Sequence, residues 1–315
     1  MSLQNKQATD QKFNYFEIIL RLVLMVALAS ATAAAITYFD VLKLSVNFNA
    51  NFLYLAAVLQ VFFWLLSTYS WQKAVSITTS VKLPFKDCFI QNALLLVGKY
   101  IPGKVLGIII RGHRLKKFGI GADGSIHATY LEQLNSTHAG FVFGIICWLI
   151  AIEQQWRWLV IIIGLSSFVI VPFYHGKVIG YLLDYLPEKW RCNIQKYAVI
   201  EMSVRDYLFM ACLYQIEWLL LGGIAIFVFI AMTGTLTSIN VSILLVGSNT
   251  LGMVVGFIAL FAPAGIGVRE VVNGGILLGS LTAIEIAGFV ILLRCWSVCA
   301  DIMIGGLAIL FSRKK

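Results

Sequence analysis

The stretch Cys88–Gly112, CFIQNALLLVGKYIPGKVLGIIIRG, decides how this chain is built. It is apolar enough for a membrane interior, yet it is broken at Tyr100-Ile101-Pro102-Gly103-Lys104. Proline removes a backbone donor and clashes with the preceding turn, and glycine lets the chain reverse. Each side of the break is shorter than the roughly 20 residues a helical crossing needs. A second broken stretch covers about 241–283, interrupted by Ala262-Pro263-Ala264-Gly265-Ile266-Gly267. Uninterrupted apolar segments lie at about 16–38, 51–72, 124–151, 157–175, 204–232 and 284–311.

Composition sets the class. Of 315 residues, 60% are hydrophobic and 12% charged, with a mean hydropathy of +0.87. Soluble proteins carry about 25% charged residues, so this chain cannot cover a water-facing surface of its size. The expected fold is an all-α integral membrane protein. One polytopic domain fills residues 1–315, with a first half at about 16–151 and a second at about 157–311. Enzymes built on a large extramembrane domain are excluded. A net charge of +9 does not signal nucleic acid here, because basic residues of membrane proteins gather in cytoplasmic loops.

The loops predict the topology. With both termini cytoplasmic, eighteen of the 24 lysines and arginines fall on the inside and only Lys43 and Arg157 outside. The other four, Lys99, Lys104, Arg269 and Arg294, fall at membrane depth or are ambiguous. This parity requires 88–112 to leave on the side from which it came, and 241–283 to do the same from the other face. The expected architecture is six full transmembrane helices plus two oppositely oriented re-entrant hairpins, inverted-repeat-like. Eight transmembrane helices are the alternative. A cell inner (cytoplasmic) membrane is the expected location. Broken helices placing polar backbone at the midplane are the arrangement of alternating-access carriers. The apolar run near the N-terminus is long enough to span, so Ala31-Thr32-Ala33 is not read as a cleavage site. Segment 175–205, with mixed charge, reads as an interfacial amphipathic helix.

Charges at membrane depth cost about 2.5–3.5 kcal/mol on insertion scales and need a partner or a purpose. Lys99 and Lys104 bracket the first break, and Arg111 lies two turns further on. With the backbone amides after Pro102-Gly103, they form a candidate phosphate cradle, because a helix start attracts anions and arginine offers a planar fork. Snorkelling to the interface is the competing account of the same residues. Gly265, Gly267 and Arg269 occupy the corresponding place at the second break. Glu132, Glu217 and Glu270 are candidate counter-ions, proton carriers or gates, with structural ion pairing as the alternative. Arg294 and Asp301 share one face of the last helix seven residues apart, about 10 Å along the axis, so each must reach another helix.

Other chemistry finds little support. His127, Glu132 and His138 lack zincin spacing, and Cys295 with Cys299 has no further ligand, so no metal is expected. There is no nucleophile elbow, phosphate loop or aspartate-rich pair, so no cofactor and no catalytic residue is assigned. The six cysteines are not read as disulfides.

The run Gly98-Lys99-Tyr100-Ile101-Pro102-Gly103-Lys104 with Arg111 resembles the first signature of the lysylphosphatidylglycerol synthetase transmembrane, flippase-like family. Tyr130-Leu131-Glu132-Gln133 is similar to its glutamate-bearing helix. Pro263-Ala264-Gly265-Ile266-Gly267-Val268-Arg269-Glu270 resembles its second signature, and Arg294 its basic residue on the last helix. Ala262-Pro263-Ala264 departs from the more glycine-rich stretch expected there. The resemblance implies a stand-alone member without the aminoacyltransferase domain. Its implied function is a flippase moving a phosphate-bearing lipid, such as a phospholipid or polyprenyl-phosphate-linked sugar, between leaflets. Its expected partners are a lipid with an anionic headgroup and a membrane glycosyltransferase, with homo-oligomerisation open. A membrane-embedded transferase on polyprenol-linked sugars, or a non-catalytic partner of a glycosyltransferase, are the rival readings.

Overall fold

The structure is a computed structural model that describes residues 48–100, 105–184, 203–259 and 262–313. The expected first span at 16–38, most of the interfacial segment after residue 184, and the break residues Pro102, Gly103 and Lys104 lie outside them.

Among the described residues there are nine α-helices and no β-strand. In chain order they are α1 (Asn51–Thr79), α2 (Phe85–Gly98), α3 (Val105–Leu115), α4 (Ala122–Ala151), α5 (Arg157–Asp184), α6 (Val204–Thr233), α7 (Ile239–Ile258), α8 (Val268–Leu277) and α9 (Ala283–Arg313). Local chemistry sets several ends. Ser238 caps α7 by accepting the Val241 N–H at 3.3 Å. Thr282 and Glu285 form a reciprocal capping box at the start of α9, satisfying two otherwise orphaned donors. Gly234 closes α6 in the left-handed conformation, its N–H bonding to the Ile230 carbonyl at 2.8 Å.

Six of these helices are long and apolar enough to cross a membrane. Five of them, α1, α4, α5, α6 and α9, stand where the uninterrupted apolar segments predict. The sixth is α7, which corrects the expectation for the second broken stretch. Its first limb is a 20-residue helix, about 30 Å long, rather than a half-length piece. Its second limb, α8, has 10 residues and is about 15 Å long, too short to cross. The limbs of the first stretch, α2 and α3, have 14 and 11 residues, and neither reaches the roughly 20 a crossing needs.

Both broken stretches fold back as antiparallel hairpins. In the first, Gly107 packs on Leu95 and the Arg111 side chain bonds across to Gln91 and Asn92. Residues equidistant from Ile101 therefore face each other. In the second, Gly256 faces Arg269 and Gly252 faces Asn273. Glycine is required at 256: a Cβ there would fall 2.5 Å from the Arg269 Cγ.

Helix α4 gives the scale. At one end Gly112 of the first hairpin meets Ser125, and near the other Leu251 and Gly247 of the second meet Gly144 and Cys147. The hairpins therefore open toward opposite ends of α4. At the helical rise, the limb ends Val105 and Ile258 fall level with Glu132 and Thr137, within about 7 Å of the middle of α4. The tips meet there: the Ala264 N–H donates to the Lys99 carbonyl at 2.9 Å. Helix α6 runs through the centre, its Tyr207, Met210, Tyr214 and Trp218 packed with Trp71 of α1 and Ala139 and Val142 of α4. A second cluster joins Phe229 of α6, Leu245 of α7, Leu277 of α8 and Phe289 of α9. Helix α5 is bound more by polar contacts. His138 of α4 bonds the Ser167 Oγ at 2.7 Å and the Tyr207 hydroxyl at 2.5 Å, and Tyr130 bonds His175 at 3.2 Å.

Candidate functional site

The charged residues singled out in the sequence separate into two groups. No hydrogen bond or ion pair among the described residues joins one group to the other.

The first group forms at the hairpin tips. Lys99, just past α2, pairs with Asp301 of α9, Nζ to Oδ2, at 2.7 Å. The Tyr100 hydroxyl donates to the same oxygen at 2.7 Å. One α9 carboxylate thus clamps both residues before the first break. Seven residues earlier on α9, Arg294 donates from both terminal nitrogens to the Ala264 carbonyl at 3.1 Å each. Its Nε lies 3.5 Å from the Glu270 Oε1. Arg294 and Asp301 therefore reach different hairpins, as their spacing predicts.

Ala264 is the pivot of this group. It adopts φ 50° and ψ 20°, a left-handed conformation that costs a non-glycine residue about 1–2 kcal/mol. Its N–H holds the first hairpin and its carbonyl holds α9. Three bonds thus converge on one strained alanine. Gly265 and Gly267 follow with φ 70° and 81°, which turns the chain into α8. Both are backbone elements of the tip, and α8 starts directly after them with Arg269 and Glu270 in its first turn.

Arg269 is 7% exposed. Its stem lies against Gly256 and Gly265. Arg294, Glu270, Asp301 and Tyr100 act on it electrostatically, yet no hydrogen bond or ion pair reaches its guanidinium among the described residues. Glu270 Oε2 and Asn273 Oδ1 are buried and equally without a bond. Counted together, Lys99, Arg269 and Arg294 stand against Asp301 and Glu270, an excess of one positive charge. The amide end of α8 adds to it. Lys99 and Glu270 keep 28% and 31% of their side chains exposed, so protein alone does not seal the group.

The second group is dry. Arg111 of α3 is fully buried. It grips Glu132 of α4 with both terminal nitrogens, one bond joining Nη1 to Oε2 and the other Nη2 to Oε1 at 3.1 Å. Nη2 also donates to Asn92 Oδ1 at 3.0 Å, and Nε to the Gln91 carbonyl at 3.4 Å. The guanidinium carbon lies 3.8 Å over the Trp71 ring, whose Nε1 donates to Gln91 Oε1 at 3.0 Å. Arg111 is thus saturated and is not gathered with Lys99 into one cradle. Glu217, in the middle of α6, is buried and accepts from the Ser70 hydroxyl at 2.6 Å.

Of the residues holding Arg111, Glu132 is singled out in the sequence, whereas Gln91, Asn92 and Trp71 are not. One signal was present: Gln91-Asn92 is a pair of amides in an apolar run, placed symmetrically to Arg111 about the break. Ser70 and Tyr214 carried no such signal. His138, weighed there only as a metal ligand, joins α4, α5 and α6.

The chain matches no family model, no curated protein and no solved structure.

Proposed function

We propose that this protein carries a phosphate-bearing lipid between the leaflets of a membrane, as a stand-alone relative of the flippase-like family its motifs resemble. The observation that carries the reading is the buried Arg269, which makes no hydrogen bond or ion pair among the described residues, at the meeting point of two oppositely opening hairpins. A cation at mid-depth with no bonded partner is expensive, and such residues mark substrate pathways. Non-helical backbone at that depth is tolerated where it lines a cavity or is covered by protein. An anionic headgroup would supply the missing charge, Arg269 and the first amides of α8 receiving it. The Lys99–Asp301 and Arg294–Glu270 pairs would open or close around it, while the lipid tail stays in the bilayer. In this reading Arg269 takes the phosphate role that the spacing gave to Arg111, and Arg111 with Glu132 braces the first hairpin. The basic residues Lys82, Lys86, Arg114, Lys116 and Lys117 cluster where the first hairpin opens, so we take that face as cytoplasmic.

The test is translocation of a headgroup-labelled phospholipid in vesicles reconstituted with purified protein. Arg269→Ala should abolish protein-dependent translocation, while Arg157→Ala, at the far end of α5, should not. Wild-type rates in Arg269→Ala, in protein that folds normally, would refute the assignment.

A further inference from the structure

The second group holds one carboxyl more than it has cations. Glu132 takes both terminal nitrogens of Arg111, and Gln133 Nε2 adds a bond at 3.2 Å. Glu217 lies about 20 Å from either end of α6, and its one bond is to the neutral Ser70 hydroxyl. No cation among the described residues pairs with it. An unpaired carboxylate in such a place costs several kcal/mol, and neutralisation by a proton is the ordinary remedy. One turn before it, the Tyr214 hydroxyl is buried without a hydrogen-bond partner and lies in the field of Glu132, Glu217 and Arg111 together.

The neighbouring elements offer no other counter-charge. Helix α1 brings Ser70, its Lys73 one turn further on lying over the Tyr69 and Phe209 rings rather than on Glu217, and α7 has no titratable side chain. On α9, Arg294 and Asp301 are engaged at the tips. On α5, His175 is bonded to Tyr130, and on α4 His138 is bonded to Tyr207 and Ser167.

We propose that Glu217 is a proton-binding site, its carboxyl neutral in the folded protein. The single guanidinium of the group is taken by Glu132, so the second carboxyl holds a proton. The site stands on this geometry and does not depend on the carrier reading.

Infrared spectroscopy of the purified full-length protein tests the site without any lipid assay. A protonated-carboxyl band should persist at neutral pH and disappear in Glu217→Gln. In Ser70→Ala the band should shift, because the hydroxyl bonded to Oε1 is gone; this variant keeps the carboxyl and decides the matter even where Glu217→Gln fails to fold. No band at neutral pH, a band that survives Glu217→Gln, or one that Ser70→Ala leaves in place overturns the proposal. So does binding of sodium ion in place of the proton. Should the band behave as stated while wild-type vesicles move no lipid, the proton site stands and the carrier reading falls.

Discussion

Removing the partner of Arg111 should cost more than removing the pair. Arg111 is fully buried and bonded to Glu132, Asn92 and Gln91 above the Trp71 ring. In Glu132→Gln the guanidinium keeps its amide and carbonyl acceptors but loses its only anion. Breaking a buried ion pair in this way costs about 3–5 kcal/mol. The surviving bonds put the expected loss near the lower end, about 3 kcal/mol, which is roughly a 100-fold fall in the folded-to-unfolded ratio. Arg111→Met leaves Glu132 with Gln133 as its polar partner, and the carboxyl can neutralise itself, so its loss should be smaller. The double variant Arg111→Met with Glu132→Gln buries no charge. Its main penalty is the orphaned Asn92 amide oxygen, about 1–3 kcal/mol. Denaturant titration in detergent micelles, followed by helical circular dichroism, measures all four proteins. The double variant should be more stable than the sum of the single losses by several kcal/mol. Additive losses, or single variants within about 1 kcal/mol of wild type, would refute the claim that one buried pair fastens the first hairpin to α4.

Two further outcomes follow from the hairpin geometry and the tip charges. Gly107→Val should separate the limbs of the first hairpin, since a Cβ at 107 falls 2.9 Å from Leu95 Cδ1 and 3.0 Å from its Cα; the same titration should register a loss of about 1–3 kcal/mol. Asp301→Asn frees Lys99 and raises the excess positive charge at the tips by one, so more anionic phospholipid should stay bound through purification, read by mass spectrometry; retention equal to wild type would argue against an anion site there.

The fold was legible to the extent that it rests on hydropathy and on backbone breakers. The long apolar runs of α1, α4, α5, α6 and α9 leave no other solution in a bilayer, and Pro102-Gly103 and Pro263 mark both reversals. The length of α7 was harder to see, because the apolar run before Pro263 does not by itself show where a limb stops. Partner choice was not legible at all. Lys99, Lys104 and Arg111 are neighbours in sequence, and a one-dimensional reading groups them; the hairpin instead sends the Arg111 guanidinium sideways to α4 and leaves Lys99 with α9. Arg294 and Asp301 were legible because a helix is a ruler: seven residues forbid direct pairing and force two separate targets.

The two hairpins oppose each other in backbone but not in charge, and this difference separates bracing from recognition. In the first, the arginine follows the break by two turns, deep enough for a second helix to supply a carboxylate, and it is saturated there. In the second, Arg269 comes within the first turn after the glycines, where the nearest acid, Glu270, is shared with Arg294. Its neighbours Gly256 and Gly265 provide close backbone and no side-chain acceptor. One arginine is thus built into a finished network and the other is left unfinished at the point where the tips touch. A purely structural cation in that place would be matched as Arg111 is. A headgroup anion would supply at Arg269 what Glu132 supplies at Arg111.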